Sequence, residues 1–185
     1  MSATTASQVG TGTWIIDPVH SSAEFAVKHM MVATAKGRFG KLSGSITLDP
    51  ANPAAASVEA NVDVTSVDTG QPQRDGHLRN DDFFSADKYP EATFRSTRVE
   101  LDGADAAKVH GDLTIRGVTK PVVLDVEFEG QGKDAYGKQR AGFTVQTTIN
   151  RLDYGIQWNP AIETGGFVVS NRVKLTLNIA AVLQD

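Results

Sequence analysis

The sequence contains no cysteine, which excludes a disulfide framework, a thiolate nucleophile, an iron–sulfur cluster and Cys-ligated zinc. No apolar run approaches the roughly 18 residues of a transmembrane helix, so no membrane span is expected. A cationic excess is also missing. Against 18 Lys and Arg stand 22 Asp and Glu, giving a net charge of −4, and duplex nucleic acid needs clustered cations for its phosphates. Residues 1–12 have neither the basic start nor the apolar stretch of a secretory signal. They read as a disordered tail, and the chain as written is expected in the cytoplasm. What is present is a 185-residue chain with 40% apolar and 22% charged residues. That length suffices to bury about two-thirds of the unfolded surface, so residues 13–185 are expected to form a single domain.

The dominant pattern is alternation with period two, the mark of strands with one face buried. It recurs over 23–31, 42–48, 58–64, 92–101, 109–115, 122–128, 141–149 and 167–179. The apolar set in these runs includes Phe25, Val27, Met31, Phe94, Leu113, Phe128, Phe143 and Phe167. Glu, Lys, Asp, Thr and Arg fill the opposite face, the reverse of a membrane porin. Within 92–101 the phase switches from Ala92 and Phe94 to Val99 and Leu101, as a β-bulge would require. Residues 74–89 break the alternation and end before Pro90, which predicts a short helix or two helical turns. Residues 151–166, aromatic but aperiodic, read as a long ordered loop. Eight or more antiparallel strands of this kind can form a sandwich or a closed barrel. The inward Ala23, Gly44, Ala60, Gly111 and Ala141 would leave interior space, unless they simply face large partners in a packed core.

Polar motifs give little sign of catalysis. The histidines are His20, His29, His77 and His110, without metal-binding spacing, and only His29 falls on an apolar face. Asp17, His20 and Ser21 superficially suggest a catalytic triad. Adjacent strand residues point to opposite faces, however, and no Gly-x-Ser-x-Gly elbow is present, so 17–21 is better read as a turn satisfying backbone groups. Asn171, alone among large apolar residues of the last run, must find a hydrogen-bond partner if buried. Arg38, Lys41, Arg74, Arg79, Arg116 and Lys120 flank loops, where they are either solvated or positioned to meet a phosphate head group.

Several short motifs carry a resemblance to a known family. They include Trp14-Ile-Ile-Asp17-Pro18-Val-His20-Ser21, Gly37-Arg-Phe39, Ser66-Val-Asp-Thr69-Gly70, Arg74-Asp75-Gly-His77-Leu78 with Asp82-Phe83-Phe84, and Tyr89-Pro90-Glu-Ala-Thr93-Phe94. The run Gly111–Pro121 and the segment Ile149-Asn150-Arg151-Leu-Asp153-Tyr154-Gly155 complete the set. Together they resemble the YceI-like family of polyisoprenoid-binding, lipocalin-like proteins. The resemblance implies an all-β, extended eight-stranded antiparallel barrel with a short helical insertion. It also implies non-enzymatic binding, transport or storage of an isoprenoid, such as a quinone tail, or of a similar fatty-chain lipid. On that reading no cofactor is needed beyond the lipid ligand. The expected lining is Phe25, Val27, His29, Met31, Phe39, Leu78, Phe83, Phe94, Leu113, Phe128, Phe143, Phe167 and Asn171. Of Phe83 and Phe84, one is expected to pack in the core and the other to touch ligand. Family members are often periplasmic. At Val169–Val173 the chain departs from the family's usual Gly and acidic pair. The alternatives are a packed barrel acting as a stress-response interaction module and an enzyme acting on a lipid inside the tunnel. Pairing into a homodimer would suit such a barrel, but no apolar stripe marks an interface.

Overall fold

A computed structural model describes residues 10–160, 166 and 168–185. Its strands are β1 (Gly12–Ile16), β2 (Ser22–His29), β3 (Ala33–Phe39), β4 (Leu42–Leu48), β5 (Ser57–Asp63), β6 (Val67–Asp68), β7 (Glu91–Leu101), β8 (Ala106–Ile115), β9 (Val118–Lys133), β10 (Gln139–Asn150) and β11 (Val169–Leu183). The helix α1 (Pro72–Arg79) lies between β6 and β7. It begins two residues before the stretch anticipated from sequence, because Pro72 suits the first helical turn.

The pairings close a ring in the order β1-β4-β5-β7-β8-β9-β10-β11, and β11 returns to β1 through Trp14↔Leu183 and Ile16↔Ala181. The remaining short strands continue members of this ring: β2 also pairs with β11, β3 with β2, and β6 with β3. Thus β1/β2, β3/β4 and β5/β6 are three long strands, each interrupted once, in an eight-stranded antiparallel barrel. The eight alternating runs correspond to these eight strands. β1, β3 and β6 escape the pattern because they are short or, in β3, rich in Ala, Gly and Lys. β1 begins at Gly12, and Trp14 Nε1 donates to the Gly10 carbonyl at 3.1 Å.

Two ends can be distinguished. The helix end carries the β2–β3 turn, α1, the β8–β9 turn and the loop after β10. The other end carries the 49–56 connection, the β7–β8 and β9–β10 turns, and the start of β1 beside the end of β11.

Three apolar clusters line the inside of this frame. One joins Trp14, Ile16, Leu42, Ile46, Val145 and Ile179 on the closing side. A second joins Phe94, Val99 and Val109 on the opposite wall. The third, Phe83, Ile115, Tyr154 and Ile156, caps the helix end.

The bulge expected in 92–101 is present as a register shift between Ser96 and Arg98. Thr97 is the unpaired residue, and beside it, where the β5–β7 pairing ends at Glu59↔Arg95, Ser96 Oγ accepts a hydrogen bond from the Val58 N–H at 2.8 Å.

Candidate functional site

Between the clusters the barrel is hollow. A cavity of about 660 Å³ is lined from the helix end (His29, Thr34, Arg74, His77) to the opposite end (Asp49, Pro53, Leu101, Asp105). Its volume lies within the range of ligand sites. In a filled barrel the inward side chains of every strand would lose all access to solvent. Here Phe25, Val27, Val62, Leu124, Val126, Phe128, Phe143, Leu175 and Leu177 face inward yet remain only partly buried. The middle of the wall is mostly apolar, and apart from Glu24, opposite Thr176, the titratable lining residues sit toward the ends.

The small inward residues do not by themselves create this space. A side chain on Gly111 would collide with the Phe94 ring, and one on Gly37 with Phe25. Ala23, Ala141 and Ala181 pack in the cluster around the fully buried Trp14. These residues do face large partners, as in a packed core, while the centre stays open because the facing walls do not meet.

Of the residues expected to form the lining, Phe25, Val27, His29, Phe39, Leu78, Phe83, Phe94, Leu113, Phe128 and Phe143 are placed in the cavity wall. His29 is exposed at the rim. Phe83 is buried, and its ring packs against His77 and Trp158 at centroid distances of 5.0 and 5.3 Å. Phe84 is the less buried neighbour, edge-on to Phe39 at 5.6 Å. Both phenylalanines border the cavity.

Two positions depart from the expected lining. Met31 is not inside: β2 ends at His29, and Met31 sits half-exposed in the turn that follows. Asn171 also leaves the inward row. The β11–β2 register shifts between Val169 and Val173, and Asn171 falls in that irregular stretch, where its Oδ1 accepts from Arg151 Nη2 at 3.4 Å. Phe167 lies outside the described residues.

Residues missed by strand periodicity come from the loop after β10. Arg151 is buried, and its guanidinium donates to the carbonyls of Ile156, Trp158, Val169 and Ser170 at 2.9–3.2 Å. It thereby fixes the loop against the start of β11 and turns Trp158, Ile156 and Tyr154 toward the cavity. Desolvation pushes the Arg151 pKa down. Tyr154 is 2% exposed, its hydroxyl has no hydrogen-bond partner among the described residues, and burial pushes its pKa up to about 12. The signal for these roles was the unexplained polar and aromatic content of a long loop.

The loop cations mainly hold the structure. Arg116 donates to the Gly155 and Asp81 carbonyls, Arg79 to those of Thr65 and Val67, and Arg74 to Thr69. Of these three, Arg74 also borders the cavity. The 17–21 turn likewise serves the backbone. Ser21 Oγ donates to the Ala180 carbonyl and accepts from its N–H, replacing the ladder where β1 gives way to β2. Asp17 receives the Val19 N–H, His20 and Arg140.

Comparison with known proteins agrees with this architecture. The profile of the YceI-like domain matches residues 14–181. A UPF0312 protein of Vibrio cholerae is 47% identical over 146 residues, covering 78% of this chain and 77% of its own. The crystal structure of Burkholderia cenocepacia BcnA superposes with a TM-score of 0.78 at 26% identity, over 89% of this chain and 98% of that one. A Saccharophagus degradans domain described as polyisoprenoid-binding shares the fold, with a TM-score of 0.69 at 19% identity over 95% of this chain and all of its own.

Proposed function

The chain belongs to the YceI-like domain family, and from that premise we propose that its barrel binds a long-chain amphiphilic lipid of isoprenoid type, holding it for transport or storage without chemical change. The observation that carries this reading is the continuous apolar cavity, whose wall of half-buried Phe, Leu and Val side chains has surface available for a chain. The polyisoprenoid-binding description of the S. degradans neighbour supports the same ligand class. Burying ten methylene equivalents would contribute about 8 kcal/mol before ordering costs, so the tail supplies affinity. Arg74, His77 and His29, at the helix end, are the groups available to distinguish head groups.

Phe143 tests the reading. It lies on the cavity wall beside Phe128, with ring centroids 5.6 Å apart. Phe143→Asp places a charge among the apolar groups, where it has no hydrogen-bonding partner. The expected result is a folded barrel by circular dichroism with lipid lost from its organic extract, while the parent protein yields a long-chain species near one per chain by native mass spectrometry. Equal lipid occupancy in the folded variant would exclude binding at this wall. A parent protein that neither carries lipid nor binds added polyprenyl or quinone lipid would favour the interaction-module alternative.

A further inference from the structure

The β2–β3 turn at the helix end is unusual in both conformation and composition. Val32 N–H bonds to the His29 carbonyl at 3.2 Å, and the two residues between them, Met30 and Met31, have φ of 52° and 63°. Within this three-residue connection, two positive φ values at the central positions of the His29–Val32 turn are the geometry for which Asn-Gly is the favoured sequence. The β8–β9 turn follows that preference in part, placing Gly117 second, with φ 74°. The β2–β3 turn instead presents Met30, Met31 and Val32, which are 38%, 50% and 85% exposed. Local chemistry is thus set aside at a tip that leaves a large share of its apolar surface exposed.

Cations line the outward face of the strands that lead to this tip. On the outward face, the register aligns Lys174, Ala26 and Lys36 across β11, β2 and β3, with Lys28 one step nearer the turn. These three lysines and Arg172 are exposed. Between the tip and Glu24, the outward positions of β2, β3 and β11 contain no carboxylate. On the neighbouring insertion, Asp82 is engaged by His77, and Asp81 by Ser85 and Lys88. This local basic face stands out in a chain of net charge −4. The same hairpin also forms part of the cavity rim through His29, Ala33, Thr34 and Lys36.

We infer that the Met30–Val32 tip is a membrane-docking element. It inserts its side chains at the surface of an anionic bilayer, while Lys28, Lys36 and Lys174 meet lipid phosphates, and this brings the helix-end rim of the barrel to the membrane. Exposed apolar side chains flanked by lysines suit this interface, where the apolar part enters the acyl boundary and the ammonium groups remain among head groups. The inference rests on the tip and its charges and does not depend on what fills the cavity.

The test is flotation of the full chain with phosphatidylcholine vesicles, with and without phosphatidylglycerol. The expected result is binding to the anionic vesicles that weakens as salt rises. Met30→Asn with Met31→Gly supplies the favoured turn sequence, so this variant should fold at least as well while vesicle binding falls about tenfold or more. Lys28→Gln with Lys36→Gln should weaken binding to anionic vesicles selectively. Absence of parent binding to anionic vesicles, or unchanged binding in the well-folded Asn-Gly variant, would overturn the inference. Phe143→Asp should still float with vesicles, which separates docking from occupancy of the cavity.

Discussion

Tyr154 couples burial directly to stability. A phenolic hydroxyl removed from water without a partner costs roughly 1–3 kcal/mol, whereas the ring beneath it packs with Phe83, Ile115 and Ile156. Tyr154→Phe keeps the ring and removes the cost, so denaturant unfolding should show a gain of about 1 kcal/mol at neutral pH. The alkaline limb gives an independent check. The folded pKa, near 12, exceeds the ordinary value of 10, so folding retains a proton that the unfolded chain releases. The stability from this source is fully present below pH 10 and is lost as pH rises from 10 toward 12. The Phe variant lacks that loss, and its advantage over the parent should widen across this window.

At the scale of elements, the interruption between β1 and β2 is held by a charged strap. Arg140, at the start of β10, donates to Asp17 Oδ2 at 2.8 Å and to Asp134 at 2.7 Å, while His20 meets the same Asp17 oxygen and the Val19 N–H takes Oδ1. The His20 and Arg140 hydrogen bonds, partly opposed by desolvation, hold the Asp17 carboxyl well below the usual carboxylate range. A depressed folded pKa stabilises the fold above the unfolded value near 4 and ceases to do so as pH falls below it. Asp17→Asn should therefore cost on the order of 1–3 kcal/mol in denaturant unfolding at pH 7. The difference from the parent should shrink as the solution is acidified below pH 4. This strap also shows what could be read from sequence. Alternation located each of the eight strands because a strand against an apolar interior repeats every two residues, and even the bulge after Ser96 left a phase change. Asp17 was recognisable as a turn residue. Its tie to Arg140, which also holds Asp134, was not, because a contact across 123 residues leaves no local period. For the same reason Phe25 and Phe143 could be assigned to the wall, while Arg151, Tyr154 and Trp158 could not. Met31 and Asn171 were misplaced where a turn and a register shift ended the alternation.

For the molecule as a whole, a hollow centre means that cohesion must come from the walls and caps. Trp14, fully buried between β4 and β11, is the largest side chain in the closing cluster. Trp14→Ala should remove about 3–5 kcal/mol, measured by denaturant unfolding, with a loss larger than that from an aromatic residue facing the cavity. Phe128 provides the comparison, since its ring borders the cavity and is only partly buried.

The seam that closes the ring joins β1, near the beginning of the chain, to the last residues of β11. During synthesis the first strand therefore leaves the ribosome long before its partner exists. Until β11 arrives, Trp14 lacks one of its walls and the ring cannot close. Enclosure of the interior is consequently a late event, completed only after β11 has emerged.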